Sequence, residues 1–209
     1  MSTPLGLITG GLSGIGAATA EEFGKLGARL VLLDISGDAS RVESRVRGAG
    51  GHATAVTCDV SRPSDVEAAV NSAVAEIGGL NFAVINAGIA EQSLLATGNP
   101  ERWAEVVSTN LLGSMNTIRA ALPFMRRQGH GHILVVASVS GREPYVGEPA
   151  YIASKFGLVG LTHALRMEAA DYGVRVTVVE PGTVATPHAV ISELVIRPLN
   201  EPTNELPGY

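Results

Sequence analysis

The feature that most constrains the fold is a repeated alternation of short apolar runs with longer helical segments. Each run is continuously apolar, which is typical of strands buried on both faces of a parallel sheet. The runs are LGLIT from Leu5, RLVLLD to Asp34, ATAVTCD to Asp59, LNFAVINAG from Leu80, HILVVAS to Ser138, VRVTVVEPG from Val174 and a later run, ELVIRPL. The alternation predicts an α/β fold, a doubly wound parallel sheet of about seven strands flanked by helices.

Helical spacing and capping residues mark the segments between the runs. One helix is predicted from Gly14 to Lys25, and the long segment AYIASKFGLVGLTHALRMEAA predicts another. Ser64 with Glu67 has the pattern of a capping box, and Asn99-Pro100-Glu101 opens a helix that continues toward Arg127. Right-handed crossovers bring the C-terminal ends of parallel strands to one edge of the sheet, where we expect ligands.

Length and charge restrict the range of partners. The 209 residues predict one domain, 1–209, and only 17% of them are charged, against about 25% on average, which favours burial against other subunits. A formal charge of -5 without a basic run argues against nucleic acid or an anionic membrane as a partner. Cys58 is the only cysteine, and with no targeting or membrane-spanning pattern we expect a cytoplasmic protein.

A glycine-rich turn follows the first run. Gly10, Gly14 and Gly16 lead from the predicted strand into a helix, where a tight backbone and free N–H groups suit a pyrophosphate. Asp34 ends the second run, where a carboxylate can accept hydrogen bonds from ribose hydroxyls and would repel a 2′-phosphate. Ile35 and Ser36 add no cation, so the sequence favours NAD over NADP.

The spacing Gly10-x-x-x-Gly14-x-Gly16 after Thr9 resembles that of the short-chain dehydrogenase/reductase family. Further motifs follow in the order of that family: Asp59-Val60, Asn86-Ala87-Gly88, Asn110, Ser138, Tyr151-x-x-x-Lys155, and Pro181-Gly182 with Thr186. The resemblance implies a Rossmann-like fold and a cofactor site made of Gly10, Leu12, Ser13, Gly14, Ile15, Gly16, Asp34, Asp59, Val60, Asn86, Ala87, Gly88, Tyr151, Lys155, Pro181, Gly182, Thr183 and Thr186.

Four residues form the expected catalytic set. Tyr151 and Lys155 are four apart on a helix and therefore share a face. A free tyrosine titrates near ~10, and lowering its pKa by ~3 units takes ~4 kcal/mol, which the lysine and the positive nicotinamide of NAD would supply together. Ser138 ends a strand, where its hydroxyl would polarise a carbonyl oxygen. By resemblance, Asn110 holds a water that links Lys155 to solvent.

Two classes of function remain open. The first is an oxidoreductase that interconverts a small-molecule secondary alcohol and a ketone, and the second is a nucleotide-binding regulator of the same fold without turnover. All four catalytic positions of the resembled family hold matching residues in this sequence, which favours the enzyme. The family resemblance also implies a homo-oligomer, either a tetramer or a dimer. His130 and His132 alternate at a strand start without a carboxylate or cysteine cluster, so no metal site is expected.

The junction before the last apolar run is unusually short, because only 187–192 separate Thr186 from Glu193. In the resembled family a substrate-covering loop, one or two helices and a crossover lie here. Residues 181–192 span at most about 40 Å, so a parallel return is barely feasible and leaves a sheet face uncovered. Either a substrate lid is missing from this sequence, or the lid is deleted and another subunit covers the face. An intact mass near 21.5 kDa would support deletion, and a mass several kDa higher would support a missing lid.

Overall fold

The computed structural model describes residues 3–182 and 194–196. Within them, strands and helices alternate as the apolar runs predict. In chain order the elements are β1 (Leu5–Thr9), α1 (Gly14–Lys25), β2 (Arg29–Asp34), α2 (Ala39–Ala49), β3 (His52–Thr57), α3 (Pro63–Ile77), β4 (Phe82–Ile85), α4 (Pro100–Val107), α5 (Gly113–Gln128), β5 (Gly131–Val136), α6 (Pro149–Ala169), β6 (Val174–Pro181) and β7 (Leu194–Ile196).

The strands form one sheet in the order β3-β2-β1-β4-β5-β6-β7. The chain winds from β1 to β3 in one direction and from β4 onward in the other, so the doubly wound fold is confirmed. The strand order reverses between β1 and β4, which pair in parallel from Gly6 opposite Phe82 to Ile8 opposite Val84. In sheets of this kind, ligands bind outside the strand ends at this switch point.

The last strand departs from the parallel pattern. Strands β1 to β6 run parallel, whereas β7 pairs antiparallel with β6, with Leu194 opposite Pro181 and Ile196 opposite Val179. The short segment 182–193 joins them, and an antiparallel partner needs far less connecting chain than a parallel one. The predicted junction between Thr186 and Glu193 itself lies outside the described residues, as does the tail after Pro198.

Alternate strand residues face two hydrophobic layers. Leu7 and Leu33 belong to the layer beneath α3, α5 and α6, whereas Ile8 and Leu32 belong to the layer beneath α1 and α2. All four side chains are almost fully buried. Burial of a leucine or isoleucine stabilises the fold by about 1.5–3 kcal/mol, so continuously apolar strands hold helices on both faces of the sheet.

Two helix starts show where local sequence signals succeed and fail. Asn99 caps α4 as predicted, since its side chain accepts a hydrogen bond from the Glu101 N–H at 2.9 Å. The capping box predicted at Ser64 is wrong. Helix α3 begins at Pro63, whose fixed backbone angle suits the first helical position, so Arg62 is the N-cap and Ser64 already lies inside the first turn.

The helix predicted from Asn99 toward Arg127 is present, but its backbone hydrogen-bonding pattern changes along its length. A π-helical turn, Ser108–Leu112, separates α4 from α5 and contains Asn110. Such a turn widens the backbone by one residue and is frequent at functional sites. The wider turn therefore occurs at Asn110, and asparagine is a residue type that disfavours a helix interior because its side chain competes for backbone hydrogen bonds.

Candidate active site

The glycine-rich turn packs too closely for side chains. A Cβ added to Gly16 would collide with the Gly10 carbonyl oxygen and would lie 2.8 Å from Asn86 Nδ2, and Gly10 itself has a φ of 62°. Ser13, the N-cap of α1, makes no side-chain capping bond and lines the neighbouring cleft. The turn therefore offers close backbone and helix N–H groups to an anionic ligand.

A cross-link ties the ends of β1 and β4 beside that turn. The Thr9 hydroxyl oxygen accepts hydrogen bonds from the N–H groups of Asn86 and Ala87 at 2.9 and 3.1 Å. In return, Asn86 Nδ2 donates to the carbonyl oxygens of Thr9 and Gly10 at 3.0 and 3.2 Å. Asn86 therefore holds the turn against the switch point, and Thr9 is a contributor that the motif assignment did not include.

A cleft of about 670 Å³ opens above this switch point. Of the residues expected at the cofactor, seven line it: Gly10, Ser13, Asp34, Asp59, Val60, Ala87 and Gly88. Leu12, Gly14, Ile15, Gly16 and Asn86 build the adjoining turn and strand end without lining the cleft. The remaining wall comes from residues that the sequence analysis did not assign, namely Leu33, Ile35, Cys58, Ser61, Ile89, Glu101, Ala104, Glu105, Ser108 and Thr109.

The charged groups that line this cleft are carboxylates, two of which, Asp59 and Glu105, pair with Arg62 and Arg102 outside the lining. Asp34, Asp59, Glu101 and Glu105 line it, and no lysine or arginine is among its lining residues within the described chain. Asp34 is fixed at the end of β2 because its Oδ2 accepts from the Leu12 N–H at 3.0 Å and its Oδ1 from the Ser36 N–H at 3.2 Å. An additional phosphate beside Asp34 would therefore meet negative charge.

Asp59 and Val60 follow β3 at the opposite wall. The Asp59 carboxylate accepts from the backbone and hydroxyl of Ser61 at 2.9 and 2.7 Å, which fixes the turn after the strand. Cys58 precedes them, and burial raises the pKa of its thiol to about 11. A thiol with so high a pKa is a poor nucleophile at neutral pH, so Cys58 serves as part of the wall.

Asn110 is fully buried and satisfies the backbone of the strand-end loop after β4. Its Oδ1 accepts from the Ile89 N–H at 2.8 Å, and its Nδ2 donates to the Ile89 carbonyl oxygen at 2.9 Å and to the Ser154 hydroxyl at 3.0 Å. Ser154 lies on α6 beside Lys155. Asn110 therefore links the loop that closes the cleft to the helix of Tyr151 and Lys155.

Tyr151, Lys155 and Ser138 come together at the C-terminal end of β5. Lys155 Nζ lies 5.4 Å from the centroid of the Tyr151 ring and donates to the Val136 carbonyl oxygen at 3.1 Å. Ser138 caps the short turn that follows β5 and accepts from the Ser140 N–H at 3.1 Å. Three side chains that are separated in sequence thus meet at the same edge of the sheet as the cleft, but neither they nor Pro181 and Gly182 line it.

The pKa values of this group are set mainly by burial. Burial raises the pKa of Tyr151, while a hydrogen bond with Ser138 opposes the rise and the negative charge of Glu148 adds to it. Burial lowers the pKa of Lys155 to about 8. In the protein alone, therefore, Lys155 does not produce the low tyrosine pKa that the sequence argument expected.

A row of hydroxyls leads away from Ser138. Ser138 Oγ lies 3.0 Å from Ser140 Oγ, which lies 3.4 Å from the Tyr145 hydroxyl, and Tyr145 donates to Glu148 Oε2 at 2.8 Å. The sequence analysis assigned none of these last three residues. Only the proximity of the segment 139–148 to Tyr151 in the sequence indicated that it lies near the site.

The end of β6 adjoins Ser138. Ser138 Oγ lies 3.5 Å from the Pro181 carbonyl oxygen, and Pro181 and Gly182 are the last described residues before the segment that contains Thr183 and Thr186. The expected cofactor contacts of those two threonines lie outside the described residues.

In the described part of the chain, no group of three or more His, Cys, Asp or Glu side chains is arranged to hold a metal ion. His132 instead places Nε2 2.9 Å from the Thr177 hydroxyl on the neighbouring strand. No helix within 3–182 is both long and apolar enough to cross a membrane.

The chain is similar to a known protein family and to several solved structures. A family model described as short chain dehydrogenase matches residues 5–193. The short-chain reductase protein NovJ of Streptomyces niveus is 38% identical over 192 residues, which cover 91% of this chain and 72% of that protein. The crystal structure of an NAD+-bound xylitol dehydrogenase has a TM-score of 0.83 at 29% identity, covering 86% of this chain and 70% of the other. Levodione reductase has a TM-score of 0.80 at 33% identity, covering 87% and 72%.

Proposed function

The chain belongs to the short-chain dehydrogenase/reductase family, and on that premise we propose that it is an NAD-dependent oxidoreductase that interconverts a secondary alcohol and a ketone. The observation that carries the proposal is the meeting of Tyr151, Lys155 and Ser138 at the C-terminal end of β5, the edge of the sheet at which the cleft opens. Two structural neighbours, a xylitol dehydrogenase and a levodione reductase, have names that denote alcohol and ketone chemistry. We treat residues 1–209 as one catalytic domain.

The cleft suits a dinucleotide. The turn around Gly16 is packed too closely to admit a Cβ, and a turn this tight lets the backbone approach a pyrophosphate closely. Asp34 lines the cleft, where its carboxylate would accept hydrogen bonds from ribose hydroxyls. Gly10, Ser13, Asp34, Asp59 and Gly88 would hold the cofactor. The carboxylates around the cleft support NAD over NADP, because a 2′-phosphate would face them without a compensating cation among the described lining residues.

The proposed mechanism assigns proton transfer to Tyr151. Its raised pKa keeps the phenol protonated, as a general acid for ketone reduction must be. When bound, NAD supplies the hydride acceptor and the positive ring that, with Lys155, would lower the tyrosine pKa for alcohol oxidation. Ser138 would donate a hydrogen bond to the substrate oxygen as that oxygen gains negative charge.

Asn110 and Lys155 support this transfer. The buried Lys155 ammonium stands beneath the Tyr151 ring and favours the phenolate that forms during alcohol oxidation. Asn110 holds the loop at Ile89 and the helix at Ser154, so it fixes the wall around the lysine. We propose that a water held at Asn110 passes the proton from Lys155 to solvent.

We further propose a homo-oligomer, a dimer or a tetramer, that acts in the cytoplasm. Helices α5 and α6 border an open groove of about 400 Å³ lined by Ile118, Leu122 and Leu161, and Met115 and Met167 on these helices are exposed. An apolar groove of this kind suits a second copy of the chain. Light scattering would show twice or four times the 21.5 kDa chain mass.

The single buried thiol, Cys58, fits a reducing compartment.

The function is tested by incubating the protein with NAD and a panel of secondary alcohols while NADH absorbance is followed. Tyr151→Phe should reduce turnover by about 100-fold or more, because the phenolic proton is lost while the ring remains. Tyr172→Phe is the matched control, since Tyr172 lies beyond α6 against Arg126 and away from the cleft. Binding of NAD without oxidation of any alcohol would favour the nucleotide-binding regulator over the enzyme. Full activity in Tyr151→Phe would instead overturn the assignment of Tyr151 as the proton-transfer residue.

A further inference from the structure

An ion pair between an exposed arginine, Arg142, and a buried glutamate, Glu180, joins the turn after the proposed catalytic serine to the end of β6. Arg142 Nε donates to Glu180 Oε1 at 2.5 Å. Glu180 is fully buried in β6, directly before Pro181, and Arg142 follows the short turn that Ser138 caps. No residue of the mechanism above uses this pair.

The pair is one of three attachments of the Ser138 turn. The second is the approach of Ser138 Oγ to the Pro181 carbonyl oxygen at 3.5 Å. The third is Gly141, where an added Cβ would lie 2.9 Å from the Lys155 carbonyl oxygen and from Val159 Cγ2. The turn therefore contacts the β6 end on one side and the helix of Tyr151 and Lys155 on the other.

Stability alone explains this pair poorly. Among the described residues, none forms a hydrogen bond with the buried Glu180 Oε2, so half of a desolvated carboxylate lacks a partner there. Because the Arg142 side chain is partly exposed, water screens its attraction to Glu180, so the pair offsets little of the cost of burying the carboxylate. A short, directional link between two segments nevertheless fixes their relative position more tightly than apolar packing does.

We propose that Arg142 and Glu180 are positioning residues that hold the Ser138 turn against the end of β6 and so keep the Ser138 hydroxyl directed at the Tyr151 phenol. The inference rests on the proposed function, since Ser138 and Tyr151 are its catalytic residues. Neither Arg142 nor Glu180 lines the cofactor cleft, so the pair should affect the chemical step more than NAD binding.

The test is the double variant Arg142→Met/Glu180→Leu, which removes the link without leaving an unpaired charge. We expect a folded protein whose kcat for an alcohol that the parent oxidises is lower by about tenfold or more, with the KM for NAD within about threefold. A second readout needs no turnover. The ionisation of Tyr151, taken as the difference in ultraviolet titration from the same protein with Tyr151→Phe, should move to higher pH because the Ser138 hydrogen bond no longer opposes burial.

The matched control is Arg45→Met/Glu21→Leu. That pair joins Arg45 Nε to Glu21 Oε1 at 3.0 Å, between α2 and α1 and outside the cleft lining, so kcat and the Tyr151 titration should stay as in the parent. An unchanged kcat together with an unchanged Tyr151 titration in Arg142→Met/Glu180→Leu would overturn the proposal. If the parent oxidises no alcohol, the proposed function fails, and the tyrosine titration still decides the positioning role.

A second variant covers the case in which the double variant does not fold. Arg142→Lys keeps the charge opposite Glu180 but replaces a rigid planar donor with a flexible ammonium. We expect a kcat about threefold or more below the parent and a small rise in the pH of Tyr151 ionisation. Parent values for both quantities in Arg142→Lys would contradict the proposal.

Discussion

Lys155 lies buried beneath the ring of Tyr151, with its Nζ 5.4 Å from the ring centroid and 3.1 Å from the Val136 carbonyl oxygen. A charged amine in this position is costly for the fold, because burial lowers the pKa of Lys155 from 10.5 to about 8. We expect the buried charge to act in catalysis, where it would stabilise the ionised form of Tyr151. Stability and turnover should therefore respond in opposite directions when the lysine is replaced.

Lys155→Met should stabilise the protein at neutral pH and impair it as an enzyme. Below pH 8 the lysine is charged in both the folded and the unfolded chain, so the folded state carries the full cost, about 3 kcal/mol. Between pH 8 and 10.5 only the unfolded chain keeps the proton, and the cost disappears. Urea denaturation should therefore show a gain of up to about 3 kcal/mol at pH 7 and little at pH 10.5, while turnover falls about 100-fold or more.

Lys25→Met is the control for that experiment, because Lys25 is exposed and pairs only with Glu22. It should change the free energy of unfolding by less than about 1 kcal/mol at either pH. Equal stabilisation of Lys155→Met at both pH values would show that lost charge is not the cause. Unchanged turnover would remove Lys155 from the catalytic set.

The preference for NAD should depend on Asp34. Asn at this position can still accept the hydrogen bond from the Leu12 N–H, but its Nδ2 cannot accept from the Ser36 N–H, so Asp34→Asn removes the charge and one of the two hydrogen bonds at the turn. Because a 2′-phosphate would no longer meet a carboxylate, the ratio of NADP to NAD affinity should rise about tenfold or more in calorimetric titrations.

Asp38→Asn makes the same charge change four positions later. Asp38 caps α2 by accepting from the Arg41 N–H at 3.0 Å, and asparagine is an equally good cap. Asp38 does not line the cleft, so the cofactor preference should stay as in the parent. An equal change in both variants would mean that net charge, and not the position of Asp34, sets the preference.

The tight turn should not tolerate a methyl group. In Gly16→Ala the added Cβ meets the Gly10 carbonyl oxygen and Asn86 Nδ2, neither of which can move without opening the link between β1 and β4. We expect NAD binding to weaken by about tenfold or more and the melting temperature to fall. Gly48→Ala in α2 has open space around the new Cβ and should be stabilising by about 0.5–1 kcal/mol, with NAD binding unchanged. Parent-like NAD affinity in Gly16→Ala would refute the close-approach argument.

The sequence predicted those parts of the fold that depend on local pattern. Continuous apolar runs located strands such as Leu5–Thr9 and Arg29–Asp34, because a strand buried on both faces cannot alternate with polar residues. The antiparallel direction of Leu194–Ile196 was not predicted, since direction depends on which strand edge is free and not on the residues of the run itself.

The site was predicted to a similar extent. Motif spacing predicted Tyr151, Lys155, Ser138 and Asn110 as a catalytic set, and the fold brings the first three together, while their catalytic roles stay a prediction. Arg142 and Glu180 were not assigned, because an ion pair between segments far apart in sequence leaves no local pattern. The rise in the Tyr151 pKa was also missed, since desolvation depends on the packing around a side chain and not on its neighbours in sequence.

Asn110 should respond to an isosteric change in a way that depends on pH. In Asn110→Asp the new carboxylate still accepts from the Ile89 N–H, but it loses both donations, to the Ile89 carbonyl oxygen and to Ser154 Oγ. An ionised aspartate at this fully buried site should have a raised pKa, and it should lower the free energy of unfolding at pH 7 by about 1–3 kcal/mol. Because protonation restores one donor, the loss should shrink as the pH falls, which thermal denaturation at pH 5 and pH 7 would measure.

Asn116→Asp is the matched control for this prediction. Asn116 is only half-buried and donates a single side-chain hydrogen bond, to the Val60 carbonyl oxygen at 3.0 Å. Its loss should be about 0.5–1.5 kcal/mol and should depend less on pH, because the carboxylate stays partly hydrated. If Asn110→Asp were no more destabilised than Asn116→Asp, the hydrogen bonds of Asn110 would not hold the loop at Ile89 to α6. If Asn110→Asp lowered the stability of the protein but left substrate turnover at the parent rate, Asn110 would have only a structural role. The proton path from Lys155 would then have to run elsewhere.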